Sequence, residues 1–187
     1  MEVADGIWVV ENFFTPEECQ EMIDFAEKLG FDEAPISIGF GVESIRKDVR
    51  NNSRVMVDDE DRAFELWQRT KEHLPRVIYQ RMALGLNERL RFYRYDPGQK
   101  FRYHFDGSFR RPTGEQSLLT FMVYLNEEFV GGETTFLNLE KTIVNPKTGM
   151  MLAFKHEILH EGAEVISGRK YVLRSDVMFS WSLAFGR

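Results

Sequence analysis

Two histidines and one aspartate, His104, Asp106 and His160, are the residues of this chain best suited to hold a metal ion. Two imidazoles and a carboxylate can fill three adjacent corners of an octahedral iron site. The opposite corners are then left for a co-substrate and dioxygen. His104 and Asp106 flank Phe105, so on a β-strand both point to the same face. His160 lies far downstream and has to be brought in by another strand or loop. An H-x-D pair is a weak signal by itself. His160 strengthens it, because it sits between Ile158-Leu159 and Glu161-Gly162, near an apolar strand end. The other two histidines read as solvated: His73 in a polar helix tail, and His156 between Lys155 and Glu157.

Ten positions beyond His160 stands Lys170, within Gly168-Arg169-Lys170-Tyr171-Val172. On a strand Lys170, Val172 and Arg174 share one face and Arg169 takes the other. If Val172 points into a core, Lys170 does too, and a buried ammonium requires an anionic partner. A dicarboxylate co-substrate would supply one; an edge lysine in solvent is the alternative. Arg174 is a rival anchor, since its planar fork suits a carboxylate. Tyr95, nine positions before His104, either donates to that same carboxylate or is a core aromatic with a wet tip.

The elements that must position these groups divide the chain in two. Thr15-Pro16-Glu17-Glu18 predicts a helix start with a capping box. Met22, Ile23, Phe25, Ala26 and Leu29 follow on one face, and Gly30 ends the helix. A second helix is predicted from about Asp59 to His73, and a third after Pro75 carrying Val77, Ile78 and Met82. The stretch from Ala34 to Asp58, with Gly39 and Gly41, reads either as a surface connection or as a loop covering a substrate. From Leu90 onward the pattern changes to short strands: Leu90 to Tyr95, Phe101 to Asp106, Leu118 to Leu125, Met150 to Phe154 and Tyr171 to Trp181. Asp96-Pro97-Gly98-Gln99 and Asn145-Pro146-Lys147-Thr148-Gly149 are turns between them. Helices first and strands afterwards indicate an α+β, mainly β fold in which helices pack on a sheet of a sandwich or barrel.

Composition narrows the class. The 187 residues suit one domain, helical over about 1–88 and strand-rich over about 89–185. A hydrophobic fraction of 43% with 16 Phe provides a full core rather than a disordered chain. The net charge of -6 argues against nucleic acid as a partner, because phosphate binding needs a concentrated basic surface. One cysteine, Cys19, precludes an internal disulfide. The start shows no basic n-region before an apolar run, and no apolar stretch reaches about 18 residues. A cytoplasmic protein without a membrane segment is the expectation.

Three further segments join the metal residues in a family resemblance. Tyr95-Asp96-Pro97-Gly98-Gln99-Lys100-Phe101-Arg102-Tyr103-His104-Phe105-Asp106 resembles the metal-binding segment of the prolyl 4-hydroxylase branch of Fe(II)/2-oxoglutarate dioxygenases. Tyr124-Leu125-Asn126 with Gly131-Gly132-Glu133-Thr134-Thr135-Phe136 is similar to the same branch. So are Leu159-His160-Glu161-Gly162 and Lys170-Tyr171-Val172-Leu173-Arg174-Ser175-Asp176-Val177. Arg50-Asn51-Asn52-Ser53 looks like the family's strand bordering the substrate.

The resemblance implies a double-stranded β-helix, the jelly roll, with N-terminal helices on the larger sheet. It implies that His104, Asp106 and His160 bind Fe(II). It places Lys170 on the distal carboxylate of 2-oxoglutarate with Tyr95 helping, and prefers Lys170 to Arg174. The implied reaction is hydroxylation of an unactivated C–H bond with release of succinate and CO2, using O2 as co-substrate and with ascorbate as a further candidate cofactor. The carboxylate at Asp106 favours hydroxylation over halogenation, for which related enzymes carry a small non-ligating residue there. A prolyl residue in a protein or peptide is the favoured substrate, with a free amino acid or small metabolite as the alternative. A non-catalytic metal-binding sensor barrel and a cupin-type isomerase are the competing classes; the four histidines of the chain are few for the latter.

Overall fold

Strand alternation in the second half of the chain creates two buried layers, one on each face of a large sheet. The computed structural model describes residues 1–39, 42–44, 46, 48–138 and 140–181. Gly41, part of the expected loop, lies outside them. The large antiparallel sheet runs in the order Glu2–Ala4, Ile7–Val10, Met151–Lys155, Gln116–Tyr124, Lys170–Phe179, Arg89–Tyr95, Ser53–Asp58 and Asp32–Glu33. Arg81–Leu86 also pairs with the C-terminal half of Lys170–Phe179. A smaller sheet stacks Phe101–His104, Leu159–Gly162, Thr134–Leu137 and Thr142–Val144. Together the two antiparallel sheets form the jelly roll.

The period-two pattern assigns each side chain to a layer. Leu119, Phe121 and Val123, with Leu90, Phe92, Leu173 and Val177, face the helices. Tyr93, Tyr95, Tyr124, Leu152, Phe154 and Val172 face the smaller sheet. Burying an aliphatic or aromatic side chain of this kind contributes about 1.5–3 kcal/mol, so both layers stabilise the large sheet.

Helix α1 (Pro16–Leu29) starts as expected. The Glu18 amide donates to Thr15 Oγ1 at 3.2 Å and the Thr15 amide to Glu18 Oε2 at 2.8 Å. Helix α2 (Glu60–Thr70) is capped by Asp59, which accepts from the Arg62 amide at 2.9 Å. Ala26, Ala63 and Leu66 are buried in the layer against the large sheet, while Leu29 is half-exposed rather than part of the apolar face. Among the described residues no helix is long and apolar enough to cross a membrane.

Three expectations for the first 88 residues are corrected. No helix follows Pro75: Val77–Ile78 and Arg81–Leu86 form a hairpin instead. Its two-residue turn is Tyr79 and Gln80, at φ 50° and 58°, a left-handed turn that normally takes Asn-Gly. Without that signature the segment has no visible turn in the sequence. The N-terminal part also holds strands, since Ile7–Val10 pairs with Met151–Lys155 of the large sheet. The stretch 34–58 is more than a loop: Ile36–Gly39 pairs with Val42–Ser44, and Ser53–Asp58 lies beside Arg89–Tyr95.

Gly149 joins the turn after Asn145 to the start of α1. Its φ is +74°, and a Cβ there would lie 2.1 Å from the Phe14 carbonyl oxygen. The same carbonyl region is bonded in place, since the Phe14 amide donates to Gly149 O at 3.0 Å. Gly149→Ala is therefore expected to lower stability by more than about 2 kcal/mol, read from urea denaturation. An unchanged midpoint would show that the turn gives way at little cost.

Candidate metal centre

Strand pairing brings the two histidines together. His104 ends the strand Phe101–His104 and stands opposite His160 in the antiparallel ladder. The two rings are 4.3 Å apart, centroid to centroid. Asp106 lies two residues beyond the strand end, not on the strand as expected. Its amide donates to His156 O at 3.1 Å, which turns the carboxylate back toward the imidazoles. Asp106 Oδ1 is 3.6 Å from His104 Nε2, and Asp106 Oδ2 is 3.6 Å from His160 Nε2. One ligand atom from each residue lies within 4.8 Å of the others. Adjacent ligands with bonds of about 2.1 Å at right angles are roughly 3 Å apart, so small side-chain rotations suffice to close on one ion.

The protonation pattern is that of a ligand set. His104 Nδ1 bonds Arg102 O at 2.7 Å and His160 Nδ1 bonds Ile158 O at 2.9 Å. A carbonyl can only accept, so each Nδ1 carries the proton and each Nε2 presents its lone pair inward. Among the described residues His104 Nε2 is buried with no hydrogen-bond partner, and a metal would satisfy it. Burial pushes His160 down to about 4, so its imidazole is neutral at pH 7. Burial alone would raise the Asp106 carboxyl, but Arg174 above all, with His160 and His104, holds it well below its ordinary value. Asp106 is thus an anion and the His160 imidazole a neutral donor.

Arg174 and Thr120 fix that carboxylate. Arg174 Nη2 lies 3.0 Å from Asp106 Oδ1, and Thr120 Oγ1 donates to Asp106 Oδ2 at 2.5 Å. Arg174 also approaches Asp176 Oδ1 at 3.5 Å, and Arg91 pairs with Asp176 at 3.0 Å. His156, expected in solvent, is buried with its Nε2 3.6 Å from Asp176. The irregular segment after His104 passes over it, the Asp106 amide donating to His156 O, and no local sequence cue marks that cover. Thr120 had a visible signal, a lone hydroxyl within the apolar run Leu118 to Val123; Asp176, within a buried strand, had another.

Lys170 is in a different position. It is 3% exposed and stands opposite Tyr95 in the ladder. Its Nζ donates to Gly132 O at 2.5 Å and lies over the rings of Tyr95 and Tyr124, 5.3 and 5.2 Å from their centroids. Among the described residues no carboxylate is hydrogen-bonded to it, and burial lowers its pKa to about 7. Tyr95 is buried, and burial pushes its phenol up to about 12, so it stays a hydrogen-bond donor. Lys170, Val172 and Arg174 all line one inner cavity with Tyr95, His104 and His160, as the alternation required. Arg169 faces out and pairs with Asp96 at 2.6 Å. Arg174 is already engaged by Asp106 and Asp176, whereas Lys170 has the Glu133 charge nearby but no carboxylate bonded to it among the described residues.

A jelly roll carrying two histidines and one carboxylate on one side of an inner cavity is the arrangement of non-haem iron oxygenases. Residues 90–175 match the model of the 2OG-Fe(II) oxygenase superfamily, a family that uses Fe(II), 2-oxoglutarate and O2. A protein of Acanthamoeba polyphaga mimivirus assigned as a prolyl 4-hydroxylase is 29% identical over 189 residues, covering 88% of this chain and 71% of that one. A viral collagen prolyl hydroxylase from Paramecium Bursaria Chlorella virus-1, solved as a 2OG complex, is 25% identical with a TM-score of 0.64, over 95% of this chain and 99% of that one. A Trichoplax adhaerens prolyl hydroxylase, solved with a hypoxia inducible factor peptide fragment, shares the fold at a TM-score of 0.70 and 15% identity, over 93% of this chain and 84% of that one.

Proposed function

We propose that this protein is a dioxygenase that hydroxylates an unactivated C–H bond, with His104, Asp106 and His160 as the ligands of Fe(II). The observation that carries this reading is the convergence of three ligand atoms within 4.8 Å, one of them a buried nitrogen with no partner. Bound Fe(II) would supply the oxidising chemistry, consuming O2 and 2-oxoglutarate and releasing succinate and CO2 as R–H becomes R–OH. The side chains contribute placement. The carbonyls of Arg102 and Ile158 hold the two imidazoles in the ligating tautomer. Arg174 and Thr120 hold the Asp106 carboxylate. Lys170, with Tyr95 beside it, receives the distal carboxylate of 2-oxoglutarate and gains the counter-ion it lacks.

A prolyl residue in a peptide is supported by the relatives named as prolyl hydroxylases and by the peptide held in the Trichoplax protein. The test is succinate production by the purified chain with Fe(II) and 2-oxoglutarate in air, alongside mass spectrometry of proline-containing peptides and free amino acids. Succinate that requires iron, together with a mass gain of one oxygen on one candidate, is the expected result. A protein that binds iron and 2-oxoglutarate yet yields no succinate above the iron-free background would favour the sensor reading.

A further inference from the structure

Beyond the inner cavity lies a wider groove of about 660 Å³, and His104, Phe101, Tyr93 and Arg174 line both spaces. Lys170 borders only the inner one and Arg50 only the outer one. The chain has a net charge of -6, yet the outer groove is lined by Arg50, Arg54, Arg91, Arg110 and Arg174 against the carboxylates of Asp106 and Asp176. Those two carboxylates already serve Arg91 and Arg174.

Arg50 is the exception that matters. It is 5% exposed. Its Nε donates to the neutral amide oxygen of Asn52 at 2.7 Å, and its Nη2 is buried with no hydrogen-bond partner among the described residues. Its guanidinium carbon lies 4.5 Å from the centroid of Tyr93 and 4.6 Å from that of Phe101. Phe101 in turn stacks on His104 at 3.5 Å, interplanar angle 15°. The guanidinium is therefore held between two rings, one of them stacked on a proposed iron ligand, with Nη2 left without an acceptor among the described residues. A buried guanidinium without a counter-ion is costly, and its fork matches a carboxylate. The Tyr93 phenol reports the same field: burial pushes it up, but Arg174, Arg50 and Arg91 outweigh this and bring it to about 8.

We propose that the molecule hydroxylated carries a carboxylate that seats on Arg50 in the outer groove, a second anion position separate from that of Lys170. The inference rests on the proposed oxygenase reading and names its substrate class: an organic or amino acid, or a peptide with an acidic residue beside the target carbon. A neutral peptide can offer Nη2 only a carbonyl oxygen and leaves the buried guanidinium without a counter-ion.

The experiment uses the full chain loaded with Mn(II) and 2-oxoglutarate without oxygen, and calorimetry against matched pairs. N-acetyl-proline and its carboxamide form the small-molecule arm. Glu-Pro and Gln-Pro versions of one capped peptide form the peptide arm. The carboxylate member of at least one pair is expected to bind tenfold or more tighter than its neutral partner, and the arm in which this occurs identifies the source. Arg50→Gln is expected to erase the difference, while Arg50→Lys, which keeps the charge, retains part of it. Equal binding within both pairs, no binding in either, or a preference that survives in Arg50→Gln would overturn the proposal. The wild-type comparison needs no variant, so poor folding of Arg50→Gln leaves it decisive. Mn(II) and 2-oxoglutarate affinities are measured in the same samples. If these fail, the oxygenase reading falls; if they hold while the carboxylate preference is absent, only the Arg50 inference falls.

Discussion

Asp106→Ala is expected to weaken Mn(II) or Fe(II) binding by at least about 100-fold and to abolish iron-dependent succinate formation. Loss of a residue that merely orients a ligand costs roughly 10- to 100-fold, and removal of the anionic ligand itself should exceed that. The variant also strips Arg174 of its 3.0 Å carboxylate partner and leaves Asp176 at 3.5 Å and the neutral Thr120 hydroxyl at 3.4 Å. Breaking a buried ion pair from one side destabilises by about 3–5 kcal/mol, so a drop in melting temperature should accompany the loss of metal. Asp106→Asn keeps the shape and an oxygen that can accept from Arg174, so it removes the anionic ligand with a smaller packing loss. Titration of Mn(II) followed by paramagnetic resonance reads the affinity directly. Metal binding and turnover that survive in both variants would remove Asp106 from the site, and with it the reading of this chain as an oxygenase of the three-ligand type.

Lys170→Ala should separate co-substrate from metal. A hydrogen bond to a charged group contributes about 1.5–3 kcal/mol, which corresponds to roughly a 10- to 100-fold loss in 2-oxoglutarate affinity. Mn(II) affinity should change little, because Lys170 makes its bond to Gly132 O and not to the metal residues. The pH dependence adds a second signature. Burial lowers Lys170 to about 7, so above that pH the empty pocket holds a neutral amine. A carboxylate favours the ammonium, and binding then requires proton uptake. Affinity for 2-oxoglutarate should therefore be flat below about pH 7 and fall by up to tenfold per pH unit above it. The variant should lose this slope. A 2-oxoglutarate affinity untouched by Lys170→Ala, or a metal affinity that falls more than the co-substrate affinity, would assign the anion to Arg174 instead.

Arg174 illustrates how residues that look equivalent along a strand acquire different work. Lys170 and Arg174 share the inward face by strand period alone, and both are cations suited to a carboxylate. The partner strands separate them. Thr120 and Asp106 come within reach of Arg174, while Tyr95, Tyr124 and the Gly132 carbonyl surround Lys170. One becomes the clamp on a proposed metal ligand and the other a cation still short of its anion.

What the chain order of residue types determined was anything governed by short-range periodicity and chemistry. The capping box at Thr15, the α1 face, the α2 start at Asp59, the turn at Pro97-Gly98 and the inward phase of Lys170, Val172 and Arg174 are local consequences of φ/ψ preference and of the helix and strand periods. The candidate ligands His104, Asp106 and His160 were legible because few side-chain types bind iron. Long-range pairing decided the rest. The ladder set His104 against His160, and a bend of the backbone after the strand end turned Asp106 onto them. The cover over His156, the hairpin turn at Tyr79-Gln80 and the stacking of Arg50 on Tyr93 and Phe101 have no local signature. Each joins groups far apart along the chain or lacks the usual turn residues, so its energy exists only once the two sheets have closed on each other.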